Sequence, residues 1–416
     1  MDKTDIKDHK QIGQELELFF TDDIAPGSPF WLPKGMIIFK ELEKYIRELT
    51  EKAGYLETST PIMVKNELFK QSGHWEKFGE HNMYNLPIYD EEETNEMGGS
   101  PVGTLPNYTL KPMNCPESTI LYSFRPRSYR ELPLRLAEIG RLHRREKSGE
   151  VNGLLRVRQI TMDDAHIFAT DEQIFDEIYA ILDMMMKFYD KFGFKYEFRL
   201  ATRPEQFAGT VENWNKAEKD LEKALKDKKL KYSLKPQDGA FYGPKIDVHI
   251  KDSLGREWQL STVQLDFHMP EAFKLEYIDK NGQAKRPVMI HRAIFGSFER
   301  FIAILTEQYQ GGFPAWLAPV QIALLPITDN HNKFAEKVNK ELRETGIRSE
   351  IDTRSERLQA KIRDAALQKV PFMGIIGDKE LETSTVSVRL RDGEDLGSLK
   401  VSALVNKLQE NIDKKI

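Results

Sequence analysis

Residues 134–170 read LRLAEIGRLHRREKSGEVNGLLRVRQITMDDAHIFAT, and the architecture of the longer part of the chain follows from them. Leu134–Arg144 and Leu154–Thr170 are rich in apolar and basic residues, and the polar segment Lys147–Asn152 separates them. Two such runs joined by a short polar connection are typical of neighbouring antiparallel strands. The stretch therefore predicts two long antiparallel strands.

The segments around this strand pair predict helices and further strands. Gly35–Tyr55 places its apolar residues on one helical face. Thr170 and Gln173 form a capping box before a helix that runs to about Phe192. We also predict strands at Tyr196–Thr202, Lys245–Lys251 and Arg256–Phe267, and helices at Val211–Lys229 and His291–Tyr309. Antiparallel strands with helices set apart from them indicate an α+β fold, in which helices flank an antiparallel sheet.

The pattern changes after Pro314–Pro319, where apolar strands begin to alternate with helices. Gln321–Ile327 is the first of these strands, and the last element is a helix near Ser402–Ile412. Such alternation indicates a smaller α/β domain with a mostly parallel sheet. We place the boundary near Ala318, which gives one domain at residues 1–318 and a second at residues 319–416.

Glu80–Asn107 has a different composition from its surroundings. It carries an acidic run followed by several glycines and prolines, and it shows almost no periodicity. This composition predicts a surface loop.

The composition excludes several classes of protein. The chain has 416 residues, a net charge of −5 and one cysteine. A single cysteine excludes an internal disulfide framework and suits a reducing compartment. No apolar run approaches the ~20 residues of a membrane span, and the charged N-terminus is unlike a secretory signal. We therefore expect a soluble cytoplasmic protein that does not bind membranes.

Two nucleotide-binding motifs, the Walker A loop and the dinucleotide-binding glycine motif, are absent from the sequence. A nucleotide triphosphate would therefore have to be held by side chains, and arginine pairs with phosphate through two parallel hydrogen bonds. Arginines are dense on the predicted strand pair and on the helix predicted at His291–Tyr309, at Arg135, Arg141, Arg144, Arg145, Arg156, Arg158, Arg292 and Arg300. Composition alone leaves two interpretations open, phosphate binding and charges that keep an edge strand soluble.

Other residues have a chemistry that the sequence alone leaves open. Cys115, His166 and His291 could form a zinc site with an open position, although their spacing matches no compact finger pattern and a lone cysteine is more often a small apolar residue. His74 is a candidate acid or base by residue type only. Lys245, which follows a Gly-Pro turn, could reach a phosphate, or the turn could have no role beyond the fold.

Taken together, these segments resemble the class II aminoacyl-tRNA synthetases, most closely the threonine-specific family. The helix Gly35–Tyr55 leading to Pro61 is similar to motif 1, which builds the dimer interface in that family. Leu136–Phe168 resembles motif 2 and Ile290–Arg300 resembles motif 3. Four further segments are similar to threonine-specific ones: Lys111–Pro116, Asp163–His166, Phe241–Asp247 and Gln264–Phe267.

The resemblance implies an ATP site, with Mg²⁺ accompanying the nucleotide. Arg144 would hold the α-phosphate and Arg156 the γ-phosphate, while Arg300 would stack on adenine and also reach the γ-phosphate. Glu146 would face adenine or the incoming tRNA end, and Lys245 would approach the α-phosphate or the carboxylate of threonine. The implied set also includes Gln264 and Ile160, the latter standing where the family usually has an aromatic residue that covers adenine.

The resemblance also implies that Cys115, His166 and His291 bind Zn²⁺. Threonine would complete the coordination through its amino group and hydroxyl, and Asp164 would accept a hydrogen bond from that hydroxyl. Met113, Tyr242 and Gln259 would complete the pocket. Valine lacks the hydroxyl and would be rejected strongly, whereas serine keeps it and would be misactivated to some extent.

For the tRNA partner, the resemblance implies contacts in both predicted domains. His74 would assist the terminal ribose hydroxyl of tRNA(Thr) as a base, and the domain at residues 319–416 would bind the anticodon through Glu380, Arg389, Ser355 and Lys369. The family is expected to form homodimers. Many members carry an N-terminal editing domain that hydrolyses seryl-tRNA. This sequence shows no counterpart of that domain, so we expect no editing within this chain and consider a separate editing protein.

Two alternatives stay open at this point. One is a related synthetase for proline, glycine, serine or histidine, of which the proline and glycine pockets need no Cys-His-His zinc site. The other is a non-catalytic, synthetase-like regulator or tRNA-binding protein. Such a protein would be expected to lose phosphate-binding arginines, and the presence of Arg144, Arg156 and Arg300 argues against it.

Overall fold

The computed structural model describes residues 6–86 and 108–416. These residues form two compact units. The first contains residues 6–22, Pro29–Tyr45 and Ile302–Ile416, and the second contains Asp23–Ser28 and Ile46–Phe301. The domain boundary near Ala318 stays a prediction.

Helices and strands are numbered separately in chain order. The helices are α1 (His9–Glu15), α2 (Pro33–Lys52), α3 (Asn66–Gln71), α4 (His74–Asn82), α5 (Cys115–Ser123), α6 (Ile174–Phe192), α7 (Val211–Asp227), α8 (His268–Ala272), α9 (Phe298–Gln308), α10 (Asn332–Glu344), α11 (Leu358–Leu367), α12 (Asp378–Thr383) and α13 (Val401–Asp413). The strands are β1 (Phe19–Phe20), β2 (Phe30–Trp31), β3 (Leu56–Glu57), β4 (Met63–Lys65), β5 (Tyr84–Leu86), β6 (Tyr108–Leu110), β7 (Leu134–His143), β8 (Gln159–Ala169), β9 (Tyr196–Ala201), β10 (Tyr232–Lys235), β11 (Lys245–Lys251), β12 (Glu257–Asp266), β13 (Tyr277–Ile278), β14 (Ala284–Lys285), β15 (Val288–Ser297), β16 (Ile322–Pro326), β17 (Ser349–Ile351), β18 (Phe372–Ile376), β19 (Thr385–Leu390) and β20 (Asp395–Lys400).

The second unit is built on an eight-stranded sheet with the strand order β10-β9-β11-β12-β15-β8-β7-β3. The five inner pairings, from β9–β11 to β8–β7, are antiparallel. The two outermost pairings, β10–β9 and β3–β7, are parallel. The predicted α+β class is therefore confirmed, with the predicted strand pair β7–β8 inside the sheet.

Helix α6 forms where its sequence signals place it. The Gln173 side chain accepts a hydrogen bond from the Thr170 backbone N–H, as the capping box predicts, and Gly193 ends the helix in the left-handed conformation. Its apolar face packs on the sheet, with the ring of Phe188 stacked on that of Phe295 at a centroid distance of 5.1 Å. Burial of this face stabilises the helix far more than its intrinsic propensity does.

The helix predicted at His291–Tyr309 is wrong in its first half. His291 lies in strand β15, and only α9, from Phe298, is helical. Arg292 therefore lies on a strand, whereas Arg300 lies on the helix as predicted. The prediction failed because β15 is an inner strand whose residues are buried from Val288 to Gly296. Such a strand lacks the alternation of apolar and polar residues that marks a half-exposed strand.

The first unit contains a five-stranded sheet with the order β17-β16-β18-β19-β20. Strand β16 pairs in parallel with β17 and β18, whereas β19 pairs antiparallel with β18 and β20. The predicted α/β domain is confirmed, but its sheet is mixed rather than mostly parallel. The difference comes from β19, which pairs antiparallel with β18 across α12 and with β20 across a short turn, the connection typical of antiparallel neighbours.

The predicted loop at Glu80–Asn107 is wrong for its first residues. Helix α4 extends to Asn82, and β5 forms a three-stranded sheet with β6 and β4. Residues 87–107 lie outside the described residues. Within the described part of the chain, no helix is long and apolar enough to cross a membrane.

Candidate active site

Four neighbouring strands bring the predicted site residues into rows on one face of the sheet. Lys245 of β11 lies opposite Gln264 of β12, Gln264 opposite His291 of β15, and His291 opposite His166 of β8. Residues that face each other across adjacent strands project to the same side of a sheet. The next row, two residues along each strand, consists of Asp247, Thr262, Ala293 and Asp164.

A cavity of about 510 Å³ opens over this face. Its walls include residues of both rows, Met113 and Cys115 before and at the start of α5, and residues of the loops that follow β9 and β10. Its lining includes these predicted site residues: His74, Met113, Cys115, Arg144, Asp164, Tyr242, Gln264 and His291. Residues from widely separated segments therefore meet at one concave site.

Cys115, His166 and His291 form a cluster in which one ligand atom of each residue lies within 4.8 Å of the others. Cys115 is the first residue of α5, and the two imidazole rings meet edge to face with centroids 5.1 Å apart. The structure thus brings together three residues that are far apart in the sequence.

The donor atoms of this cluster suit a metal ion. In the part of the chain that the structure describes, the buried Nδ1 of His291 and the buried Nε2 of His166 have no hydrogen-bond partner. Burial lowers the pKa of His166 well below its usual range, so the ring stays neutral as metal binding requires. Burial raises the pKa of the Cys115 thiol, which a coordinated cation would reverse. One thiolate and two imidazoles are a zinc ligand set that leaves a fourth position open.

Asp266 holds one of these histidines from behind. Its Oδ2 lies 2.9 Å from Nε2 of His291, and its Oδ1 accepts hydrogen bonds from the backbone N–H groups of His268 and Met269. A carboxylate that accepts from one imidazole nitrogen fixes the ring so that the other nitrogen faces the metal. Asp266 is fully buried, so water does not compete for these hydrogen bonds.

Asp164 lies two residues before His166 and faces the same cavity. The Asn114 side chain donates a hydrogen bond from Nδ2 to Oδ2 of Asp164 at 3.1 Å. Burial raises the pKa of Asp164, and the Asn114 hydrogen bond opposes that rise. The site therefore offers a hydrogen-bond acceptor beside the cluster.

Tyr242 closes the cavity on the side of β12. Its hydroxyl donates to Oε1 of Gln264 at 2.6 Å, and its ring centroid lies 5.1 Å from that of His291. The next residue, Gly243, passes so close to β12 that a Cβ atom would lie 1.6 Å from the carbonyl oxygen of Leu265. Only glycine allows this approach, which brings Tyr242 over the sheet.

The three predicted phosphate-binding arginines lie close to one another. Arg144 and Arg156 belong to the connection between β7 and β8, not to the predicted strands. The pKa of Arg300 is lowered by burial and by the positive charges of Arg144 and Arg156. Holding several cations close together in a partly buried site costs free energy unless an anionic ligand balances their charge.

Protein groups engage each of these arginines. Arg144 Nε donates to the carbonyl of Pro112, and Arg300 Nε donates to that of Leu155. Arg156 forms two hydrogen bonds, of 2.7 and 3.0 Å, with one oxygen of Glu146. The Glu146–Arg156 pair would have to open, or share the guanidinium, for Arg156 to hold a phosphate.

The remaining predicted residues of this unit lie in different surroundings. Lys245 forms an ion pair with Asp247 and is not among the cavity-lining residues. Gln259 is exposed and also lies outside that lining. Ile160 is buried beside Leu142 on the strand face of Asp164. The predicted roles of these residues stay predictions.

His74 is the first residue of α4 and is buried at the cavity wall. Its Nδ1 lies 2.8 Å from Oγ of Ser72, whose hydroxyl lies 3.1 Å from the carbonyl of Phe69. When the Ser72 hydroxyl donates to that carbonyl, the tautomer of His74 that completes the hydrogen bond carries its proton on Nδ1 and its lone pair on Nε2. Burial lowers the pKa of His74 to about 4, although the charge of Asp266 opposes the shift.

The predicted anticodon contacts do not form one cluster. Ser355 and Glu380 follow the carboxyl ends of the parallel strands β17 and β18, whereas Lys369 precedes the amino end of β18. Arg389 is exposed on β19. Glu380 is buried, and its carboxylate accepts hydrogen bonds from Gly377 N–H and the Ser398 hydroxyl.

Sequence reasoning missed several residues of the site. Asn114 and Asp266 lie within the segments Lys111–Pro116 and Gln264–Phe267. These motifs marked both residues, but the sequence alone suggested no role for either. Ser72, two residues before His74, gave no signal of its own. Pro204 and Gln206 line the cavity from the loop after β9, where the sequence shows no motif.

Two family models match the chain. One is described as the tRNA synthetase class II core domain (G, H, P, S and T) and matches residues 104–309. The other is described as an anticodon binding domain and matches residues 321–411. The second match covers the five-stranded sheet, which therefore belongs to an anticodon-binding domain.

Relatives with similar sequences are described as threonine–tRNA ligases. The chain is 49% identical over 409 residues to the threonine–tRNA ligases of Clostridium novyi and of Acetivibrio thermocellus. Each match covers 98% of this chain and 62% of the relative, so the chain spans less than two thirds of their length.

The solved structures that resemble this chain are also described as threonyl-tRNA synthetases or parts of them. A structure titled the RNA binding domain of threonyl-tRNA synthetase from Cryptosporidium parvum is 38% identical, with a TM-score of 0.90 and coverage of 97% of this chain and 98% of that one. A putative threonyl-tRNA synthetase from Aeropyrum pernix is 27% identical, with a TM-score of 0.81 and coverage of 98% and 96%. On these findings, the chain belongs to the threonyl-tRNA synthetase family of class II aminoacyl-tRNA synthetases.

Proposed function

We propose that this chain activates L-threonine with ATP and transfers the threonyl group to the 3′ end of tRNA(Thr). Family membership supports the reaction type. The observation that carries the choice of amino acid is the Cys115–His166–His291 cluster, of which Cys115 and His291 line one cavity with Asp164. Proline or glycine would leave such a set of polar groups without partners, which is costly for a buried site.

In the activation step, the threonine carboxylate attacks the α-phosphorus of ATP and pyrophosphate leaves. Arg144 holds the α-phosphate, Arg156 the γ-phosphate, and Arg300 stacks on adenine. Glu146, Ile160 and Gln264 complete the nucleotide site, Lys245 neutralises charge beside the reacting carboxylate, and Mg²⁺ accompanies the phosphates. Fixed cations accelerate such a reaction by stabilising charge that develops in the transition state, with no covalent enzyme intermediate.

Cys115, His166 and His291 would hold a zinc ion, and Asp266 would keep His291 in the orientation for binding. When bound, the metal supplies a Lewis acid that binds the amino and hydroxyl groups of the amino acid. Asp164 accepts a hydrogen bond from the hydroxyl, while Met113, Tyr242 and Gln259 shape the rest of the pocket.

The hydroxyl decides which amino acids the site accepts. Valine is nearly isosteric with threonine but leaves Asp164 unsatisfied, and sites that must bind a hydroxyl reject analogues that lack one by about 10⁴–10⁵-fold. Serine loses only a methyl group, worth about 1–3 kcal/mol. The pocket therefore misactivates serine.

In the transfer step, the 3′-terminal ribose of the tRNA enters the same cavity, its hydroxyl attacks the carbonyl carbon of threonyl-adenylate, and AMP leaves. In the tautomer whose Nδ1 donates to Ser72 Oγ, 2.8 Å away, His74 accepts the proton of the attacking ribose hydroxyl through Nε2. In the first unit, Ser355, Lys369, Glu380 and Arg389 contact unstacked anticodon bases, the form in which RNA sequence is read. We also propose that the chain acts as a homodimer, which light scattering of the purified protein tests.

Amino acid-dependent ATP–pyrophosphate exchange tests the proposal. We expect exchange with threonine, weaker exchange with serine and almost none with valine. Cys115→Ala should abolish the threonine-dependent exchange and the bound zinc measured by elemental analysis. Exchange supported by another amino acid would overturn the specificity, and the absence of exchange with all amino acids would overturn the enzymatic function.

A further inference from the structure

Asn114 is a fully buried residue without a role in the reaction described above. It precedes Cys115 and lies before the first turn of α5, but its side chain forms no cap on that helix. Instead, Nδ2 donates to Oδ2 of Asp164 at 3.1 Å. Because this hydrogen bond goes to a carboxylate that lines the cavity, the Asn114 side chain serves the substrate site and not the helix.

The position of the Asn114 amide depends on a glycine in the neighbouring strand. Gly140 of β7 lies opposite Met162 of β8, one side-chain row along from Glu138 and Asp164. A Cβ atom on residue 140 would lie 2.4 Å from Oδ1 of Asn114, 2.5 Å from Nδ2 and 2.7 Å from Cγ. All three distances are far below van der Waals contact, so the amide lies flat against the α-carbon of Gly140.

We infer that Asn114, seated against Gly140, is a positioning residue that fixes the Asp164 carboxylate for the hydroxyl of the amino acid substrate. The inference rests on the proposed function. An aspartate side chain rotates with little restraint about its last bond. The hydrogen bond to Oδ2 restrains that rotation and leaves Oδ1 as the oxygen that accepts the substrate hydroxyl.

An amide suits this task better than a charged donor. Lysine or arginine at this position would form an ion pair with Asp164 and place a cation beside the cationic metal site. A neutral N–H donor orients the carboxylate and leaves its charge available for the substrate. Glycine at position 140 supplies the room without adding any group that could compete for the amide.

Two substitutions separate this role from a merely structural one. Gly140→Ala displaces the amide while leaving residues 114 and 164 unchanged, and Asn114→Leu keeps a side chain of similar shape without the hydrogen bond. Gly149→Ala is the matched control, because a Cβ atom there meets no atom within 4 Å. Each protein is assayed for exchange with threonine, serine and valine, and for zinc content by elemental analysis.

We expect Gly140→Ala to retain its zinc and to raise the KM for threonine more than it lowers kcat. A charge-assisted hydrogen bond is typically worth a change of about 10- to 100-fold, so kcat/KM should fall by about that factor for threonine and serine. The kcat/KM for valine should stay unchanged, so the ratio of kcat/KM for threonine to that for valine should fall. In an Asp164→Asn background, Gly140→Ala should cause little additional loss, because the two residues act through one carboxylate.

An unchanged threonine-to-valine ratio in Gly140→Ala, or a full additional loss in the Asp164→Asn background, would overturn the inference. Zinc loss that parallels the loss of activity would also overturn it, since Asn114 would then support Cys115. If Asn114→Leu does not fold, Gly140→Ala alone decides. Failure of the wild-type chain to activate threonine is a separate outcome, which overturns the proposed function itself.

Discussion

The candidate residues of the second unit and those of the first are held in different ways. Asp164, His166 and His291 lie on inner strands of the large sheet, where both histidines are buried. Ser355 and Arg389 of the first unit are exposed, near the ends of a smaller sheet. Bond-making chemistry requires groups fixed to fractions of an ångström, whereas binding of a flexible RNA loop tolerates side chains that adjust. The difference leads us to expect large effects of substitutions in the cavity and small ones at the sheet ends.

The largest effect should come from Arg144, which lines the cavity. Arg144→Ala removes a cation from the developing negative charge, so we expect exchange activity to fall by about 100- to 1,000-fold. Threonine-dependent ATP–pyrophosphate exchange measures it. Arg141→Ala is the control, because Arg141 is exposed on β7. An equal loss in both variants would mean that the overall positive charge matters and the position does not.

A smaller effect is expected from Asp266, which touches His291 but not the cavity. Asp266→Asn keeps the shape and removes the acceptor charge, and loss of such a partner typically weakens metal binding by about 10- to 100-fold. The rate of zinc loss to a chelator, followed by a colorimetric dye, gives this value. Asp252→Asn serves as the control, because Asp252 is a buried carboxylate that also accepts backbone N–H hydrogen bonds. Identical zinc loss from both variants would contradict the role of Asp266.

Arg389→Ala in the first unit should have a more modest effect. We expect about a tenfold rise in the KM for tRNA and no change in pyrophosphate exchange, which does not require tRNA contacts. Aminoacylation with transcribed tRNA gives the KM. Arg363→Ala, another exposed arginine of this unit, should change neither value. A loss of exchange in Arg389→Ala would show that the residue acts on the fold and not on RNA.

The pH dependence of transfer should be the weakest effect. The pKa of His74 is lowered to about 4, so its neutral, basic form predominates from pH 8 down to about pH 6 and is lost as the pH approaches 4. Single-turnover transfer from preformed threonyl-adenylate should therefore be flat between pH 6 and 8. A histidine of ordinary pKa would instead lose activity near pH 6.5, and such an inflection would contradict the role of burial.

Much of the molecule was open to prediction from local sequence. The capping box at Thr170 and Gln173 and the paired strands β7 and β8 follow from patterns of neighbouring residues. The ordered motifs also identified the family and the candidate zinc ligands. Prediction failed at β15, because a strand buried on its two faces has no polar alternation to separate it from a buried helix.

The sequence alone determined which residue types are present and which elements most of them form, because periodicity, capping and turns depend on near neighbours. Only the tertiary structure decided that His291 lies opposite His166, that the amide of Asn114 rests on Gly140, and that Asp266 holds His291 from behind. The contact between Asp266 and His291 spans 25 residues of sequence, and the other two span more. Strand register and the close packing of buried side chains set these contacts, and no local pattern encodes either.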